Sequence, residues 1–170
     1  MRSITTLFTL IFVLTGCKTK QLNNTTATKA GTTEPDFIIT FGSCNKSKVE
    51  NLFWDDISGL SPDVFIWGGD IVYADTDDVA KIQEFYNRQD SVPDYAALKK
   101  KVMITGTWDD HDYGVNDGGV EFSSKVGSQQ AFLDFLDVQE NDERRQREGV
   151  YSAQTITKPQ GVVKIINLDT

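Results

Sequence analysis

The segment Trp108–Gly114 concentrates the residues in this sequence that are best suited to chemistry. It reads Trp-Asp-Asp-His-Asp-Tyr-Gly and follows the apolar run Val102–Ile104, so three carboxylates and the chain's single histidine, His111, are contiguous. Adjacent carboxylates at the end of a buried strand repel one another and lose hydration, so such a cluster normally needs a cation. An imidazole among them is suited to donate a proton near neutrality, although a lone histidine can also be structural.

A second acidic cluster follows another apolar run, Val64–Trp67. There Asp70 comes after two glycines, and Tyr73 lies three residues further on. If a thiol such as that of Cys44 joins this carboxylate and phenol, the three ligand types suit a hard trivalent ion such as ferric iron. The alternative interpretation of the segment is a turn aspartate beside a core tyrosine.

Two other chemistries are disfavoured. Ser43 lacks the Gly-x-Ser-x-Gly turn of a hydrolase nucleophile, although His111 would be available as a base. An EF-hand starting at Asp75 fails because its twelfth position is Tyr86 and its central glycine is absent.

Apolar periodicity places these residues on a predicted α/β framework. Strands alternating with helices favour a largely parallel first sheet, in which ligands gather beyond the carboxyl ends of the strands. Cys44, Asp70 and Asp110 all follow predicted strands, which indicates one shared site. The predicted strands are Phe37–Ser43, Val64–Gly68, Lys101–Thr105 and a hairpin of Gly149–Thr157 with Val162–Leu168. The predicted helices are Lys48–Leu60, one capped by Asp77 or Asp78, Pro93–Leu98 and Ser123–Val138.

The amino terminus predicts export. Residues 1–16 have the short apolar core of a signal peptide, and Cys17 follows Leu-Thr-Gly as in a bacterial lipobox. Residues 17–35 form a Thr-rich tether, and residues 36–170 form the folded domain. We therefore expect an exported protein that is anchored by lipid to a bacterial membrane, on its periplasmic or cell-surface side, and we expect a monomer. The net charge of −8 disfavours nucleic acid and anionic membrane surfaces as partners.

Five ordered motifs make the sequence resemble the alkaline phosphatase D (PhoD-like) family of metallophosphatases. The motifs are Phe41–Asn45, Trp67–Asp75, Trp108–Gly114, Gly149–Ser152 and Leu168–Thr170. The resemblance covers residues 36–170 and implies a four-layer α/β/β/α phosphoesterase that holds ferric iron (Fe3+) and calcium (Ca2+).

The resemblance also implies roles for individual residues. Cys44, Asp70 and Tyr73 would contact iron, and Asp70 would bridge toward calcium. Asp110 would take the place of a metal-binding asparagine, and His111 that of the proton donor. The substrates would be small-molecule phosphate esters, attacked in line by an activated water. The substrate would be contacted by Asn45 and Asn116.

Family members supply further ligands from downstream segments. We therefore expect this sequence to be the amino-terminal part of the catalytic domain, an incomplete sandwich that is inactive alone. The rival hypothesis is a non-catalytic exported lipoprotein whose acidic loops bind calcium or a protein partner.

Overall fold

A computed structural model describes residues 36–169 and shows a mixed α/β fold built on a small parallel sheet. Its strands are β1 (Ile39–Gly42), β2 (Val64–Gly68) and β3 (Met103–Thr107), in the order β1-β2-β3. Ile39 pairs with Val64, and Val64 pairs with Met103. The predicted parallel sheet is therefore confirmed, with β3 beginning two residues later than expected. The predicted signal peptide, Cys17 and the tether lie outside the described residues.

Helices connect the strands. They are α1 (Phe53–Gly59), α2 (Val79–Asp90), α3 (Pro93–Lys99), α4 (Asp110–Tyr113), α5 (Lys125–Phe135) and a 3₁₀ helix (Glu143–Arg145). For two of these helices, α2 and α3, the predicted first residues are confirmed. The Asp78 side chain accepts a hydrogen bond from the Ala80 N–H of α2 at 3.0 Å, and Pro93 occupies the first turn of α3.

The predicted helix Lys48–Leu60 is wrong in its first turns. The helix begins only at Phe53, after a turn in which the Asn51 side chain accepts from the Phe53 N–H at 3.3 Å. The apolar residues used for the prediction, Val49 and Leu52, are exposed, and Trp54 is the residue of α1 that is buried. A similar correction applies to α5, where Val126 is exposed although Phe132 and Phe135 are buried as expected.

An aromatic core joins the helices to one face of the sheet. Side chains of a strand alternate between faces, and Phe65 and Trp67 of β2 both pack against Trp54 of α1. The Trp67 indole also donates to the Tyr95 hydroxyl of α3 at 3.0 Å, which satisfies two buried polar groups. Within residues 36–169, no helix is long and apolar enough to cross a membrane.

The predicted hairpin is confirmed and lies against the other face of the sheet. Its strands are β4 (Ser152–Lys158) and β5 (Gly161–Asn167), which pair in antiparallel register. Asn167 donates to the Thr105 hydroxyl of β3 at 2.8 Å. Ile104, the preceding residue of β3, packs instead on the helix-side core, so the two layers contact opposite faces of the strand.

Candidate metal centre

The candidate site lies where the three parallel strands end. Cys44 follows β1, Asp70 follows β2, and Asp110 and His111 follow β3, so the shared direction of the strands brings these residues to one edge. One ligand atom from each of Asp70, Asp110 and His111 lies within 4.8 Å of the other two. The structure therefore brings together three of the residues that the sequence singled out.

Tyr73 joins this group through Asp70. Its hydroxyl donates to Asp70 Oδ2 at 2.6 Å, and its ring centroid lies 4.1 Å from that of His111. Burial raises the pKa of Tyr73 well above its ordinary value, and the Asp70 carboxylate and the Cys44 thiol raise it further. In the metal-free protein Tyr73 is thus a neutral hydrogen-bond donor, and a strongly charged cation would be needed to displace its proton.

Cys44 sits at the margin of the site. It is exposed, and its thiol interacts with the Tyr73 hydroxyl and accepts from the Ser43 hydroxyl at 3.6 Å. Its Sγ is not one of the atoms that lie within 4.8 Å of one another. The structure therefore places Cys44 beside Tyr73 and outside the group formed by Asp70, Asp110 and His111.

Asp110 is held as an ionised carboxylate. Burial opposes ionisation, but the backbone N–H groups of Asp117 and His111 donate to its two oxygens at 2.5 and 2.9 Å. These contacts hold the pKa of Asp110 below its ordinary range. The side chains of Asp70 and Asp110 therefore lie together beside His111, and Asp70 interacts with the Asp110 carboxylate.

Two buried polar atoms at this point have no hydrogen-bond partner among the described residues. They are Asp70 Oδ1 and His111 Nδ1, and the nearby carboxylate of Asp75 lies 3.4 Å from that nitrogen. Buried polar atoms are almost always satisfied, so an unsatisfied pair inside a carboxylate cluster calls for an explanation. A bound cation is the simplest one, and the residues present fit it.

The backbone is strained at the same edge. Cys44 and Asp70 adopt φ angles of 55° and 54°, in a region that side-chain-bearing residues rarely occupy. Between the strand and Asp70, Gly69 has a φ of 91°, and a Cβ there would lie 2.6 Å from Asp109 Cβ. The missing side chain of Gly69 thus leaves room for the neighbouring loop of the chain itself. Strain of this kind clusters at functional sites.

Asp112 does not join the predicted ligand cluster. It lies two residues after Asp110 in α4, which turns its side chain to the opposite side of the helix and into the core. Burial raises the pKa of Asp112 to about 7, against the hydrogen bonds that it accepts. One sequence signal was available: Asp109 and Asp112 have the spacing of a capping box, which the structure contains.

The two residues predicted to contact the substrate lie in different environments. Asn45 is buried, and its amide donates to Gln89 Oε1 at 2.7 Å and to the Ile71 carbonyl at 3.1 Å. Both of its donors are therefore occupied and Asn45 supports the loop after β1, while its contact with substrate stays a prediction. Asn116 is exposed and donates to Asp117 Oδ2 at 2.6 Å, so its contact with substrate stays a prediction.

Comparison with known proteins yields no assignment. No family model matches this chain, and neither a curated protein nor a solved structure matches it at a significant level. The interpretation of the site therefore depends on the geometry given above and on the ordered motifs of the sequence.

Proposed function

We propose that this protein is a metal-dependent phosphoesterase that hydrolyses small-molecule phosphate esters. The observation that carries the proposal is the convergence of Asp70, Asp110 and His111 within 4.8 Å, with Asp70 Oδ1 and His111 Nδ1 both buried and unsatisfied. Such a group binds a cation readily and has an imidazole in place for proton transfer.

The sequence resemblance to PhoD-like metallophosphatases supports the same conclusion. Three of its motifs supply the residues at this edge, and two, Gly149–Ser152 and Leu168–Thr170, lie where the predicted hairpin begins and ends. The helical layer, the parallel sheet and the hairpin are consistent with three layers of a four-layer α/β/β/α sandwich. On the basis of the resemblance, we propose the four-layer sandwich as the architecture of the complete domain.

The residues divide between two kinds of cation. Cys44, Asp70 and Tyr73 offer the sulfur, carboxylate and phenol ligands that suit Fe3+, and Asp70 with Asp110 offers the oxygen ligands that suit Ca2+. When bound, such ions neutralise phosphate charge and acidify a coordinated water to a pKa of roughly 7. This local positive charge would also let a chain with a net charge of −8 accept an anionic substrate.

His111 supplies the proton in this mechanism. Its Nδ1 faces Asp75 Oδ1 at 3.4 Å, and this contact would orient the imidazole for proton exchange with the leaving group. The Tyr73 ring, with its centroid 4.1 Å away, limits the rotation of the imidazole. Asp75 and Tyr73 together would therefore hold His111 in one orientation.

Iron separates this proposal from the rival calcium-binding lipoprotein. We expect the full-length protein loaded with Fe3+ to show a visible tyrosinate charge-transfer band that Tyr73→Phe abolishes. We also expect hydrolysis of p-nitrophenyl phosphate or bis(p-nitrophenyl) phosphate that Asp70→Asn abolishes and the remote Asp142→Asn leaves unchanged. Calcium binding with no such band and no hydrolysis would establish the rival.

A further inference from the structure

A single buried carboxylate, that of Asp112, connects two of the loops that form the candidate site. Its Oδ1 accepts from the backbone N–H groups of Ile71 and Val72 at 3.1 and 3.3 Å, and from the Tyr86 hydroxyl at 2.9 Å. Its Oδ2 accepts from the Asp109 N–H at 3.1 Å. Asp112 itself is fully buried, and no lysine or arginine among residues 36–169 forms an ion pair with it.

These donors are the immediate neighbours of the candidate ligands. Ile71 directly follows Asp70 in the loop after β2, and Asp109 directly precedes Asp110 in the loop after β3. One side chain therefore fixes the backbone on both sides of the gap that separates the two carboxylates. A shift of either loop would break hydrogen bonds to Asp112.

Burial of the Asp112 carboxylate costs free energy, so the stability of the fold alone does not explain this contact. An unpaired buried carboxylate loses its hydration, and a well-packed apolar side chain is often as good or better for stability at a buried position. Buried polar groups can instead select one arrangement of the groups around them. Here the selected arrangement is the approach of Asp70 to Asp110 and His111.

We propose that Asp112 is a positioning residue, which sets the separation of Asp70 from Asp110 and His111 before any cation binds. The hydrogen bonds to Asp112 hold the loop after Asp70 and the loop before Asp110 together without any cation. A site assembled in advance spends less of its binding free energy on ordering loops. The consequence for metal affinity rests on the proposed function, whereas the positioning does not.

The test uses the chain's single histidine as a reporter in the metal-free, full chain. The Tyr73 ring lies 4.1 Å from the imidazole, so its ring current should shift the His111 proton resonances upfield. Asp112→Asn preserves the shape of the side chain but turns an amide N–H toward other donors. We expect this variant to lose the upfield shift because the Tyr73 loop separates from α4.

The matched control is Asp63→Asn, an aspartate that also accepts a backbone N–H, that of Ile38 at 2.9 Å, at the opposite end of the sheet. We expect it to keep the His111 shift. An unchanged shift in Asp112→Asn would overturn the proposal, as would a wild-type His111 at the position of a free imidazole. If Asp112→Asn does not fold, Tyr86→Phe decides: a partial loss of the shift supports the proposal, and an unchanged shift overturns it.

Metal titration then distinguishes this inference from the proposed function. If the site binds Ca2+ or Fe3+, Asp112→Asn should weaken the affinity about 10–100-fold, as is typical of residues that support ligands. A wild-type protein that binds neither ion, but whose His111 shift depends on Asp112, would refute the metal centre and leave the positioning role intact.

Discussion

At each end of the parallel sheet a carboxylate joins neighbouring segments of the chain, but the two carboxylates differ in whether a cationic side chain pairs with them. At the amino-terminal end, Asp63 accepts from the Ile38 N–H at 2.9 Å and forms an ion pair with Lys158 of the hairpin. At the carboxyl-terminal end, Asp112 accepts from the Ile71 and Asp109 N–H groups without a cationic partner among the described residues. Both carboxylates join neighbouring segments, but only the first has its charge neutralised.

The difference indicates that the amino-terminal end of the sheet supports the fold and that the carboxyl-terminal end forms the candidate site. Around Asp112 the chain also contains two neighbouring carboxylates, two unsatisfied buried atoms and the left-handed residues Cys44 and Asp70. Each of these features costs stability, and together they occur at one edge. The amino-terminal end also contains a left-handed residue, Ser61 with a φ of 50°, but the buried polar atoms without a hydrogen-bond partner at Asp70 and His111 lie only at the site end. Replacing a ligand carboxylate at the carboxyl-terminal end should therefore lower metal affinity without lowering the stability of the metal-free protein.

Asp70→Asn should give the largest effect. We expect metal affinity to fall by more than about 100-fold, beyond the range typical of residues that only support ligands. The metal-free protein should not become less stable, because asparagine tolerates a φ of 54°. Calorimetric titration with Ca2+ and urea unfolding in a chelator measure the two quantities.

The control for this variant is Asp63→Asn, which should show the reverse: unchanged metal affinity and lower stability. An Asp70→Asn protein that keeps its metal affinity but loses metal-free stability would contradict the distinction between scaffold and site.

Gly69→Ala should strongly destabilise the site end. The substitution combines a φ of 91° with a Cβ placed 2.6 Å from Asp109 Cβ, for an expected loss of about 2–4 kcal/mol in the free energy of unfolding. Gly59→Ala is the matched control, because it ends α1 with nothing within 4 Å of its added Cβ. That variant should be unchanged or more stable by up to about 1 kcal/mol. Equal losses of stability for the two alanines in denaturant unfolding would refute the close contact between the loops.

The ion pair of Asp63 should make a modest, pH-dependent contribution. Lys158 and the Ile38 N–H hold the pKa of Asp63 below its ordinary value. Stability from a lowered pKa is present above the unfolded-state value of about 3.9 and is lost as the pH falls through the folded-state value. We expect Asp63→Asn to cost about 0.5–1 kcal/mol at pH 7, limited by solvent screening, and less at pH 3. A difference that grows on acidification would contradict this assignment.

Much of the site could be predicted because it depends on strand direction alone. Apolar runs identified β2 and β3, and parallel strands must end at one edge, so Asp70 and Asp110 had to be neighbours. The roles of Asp112 and Asn45 could not be predicted in this way. They depend on the turn that α4 makes between residues two apart, and on a contact between Asn45 and Gln89, which are distant in sequence.

The error at α1 has a comparable cause. Val49 and Leu52 have helical spacing, but the helix begins after them, at Phe53, whose N–H donates to the Asn51 side chain. Local side-chain hydrogen bonds of this kind compete with helix formation, and apolar periodicity does not register them. The hairpin was easier to predict, because its turn residues Pro159 and Gly161 act locally.

Cys44→Ser should have the smallest effect on stability and the most selective effect on chemistry. Both residues are small and both must adopt the same strained φ of 55°, so the free energy of unfolding should change by less than about 0.5 kcal/mol. Serine cannot supply a thiolate, so the affinity for Fe3+ should fall and the charge-transfer band should shift. The affinity for Ca2+, which prefers oxygen, should not change. Ser43→Ala is the control, since it removes only the hydroxyl that donates to Sγ. Unchanged iron binding in Cys44→Ser would remove the thiol from the centre and leave Asp70 and Tyr73 as the proposed iron ligands, which fits the position of Cys44 at the margin.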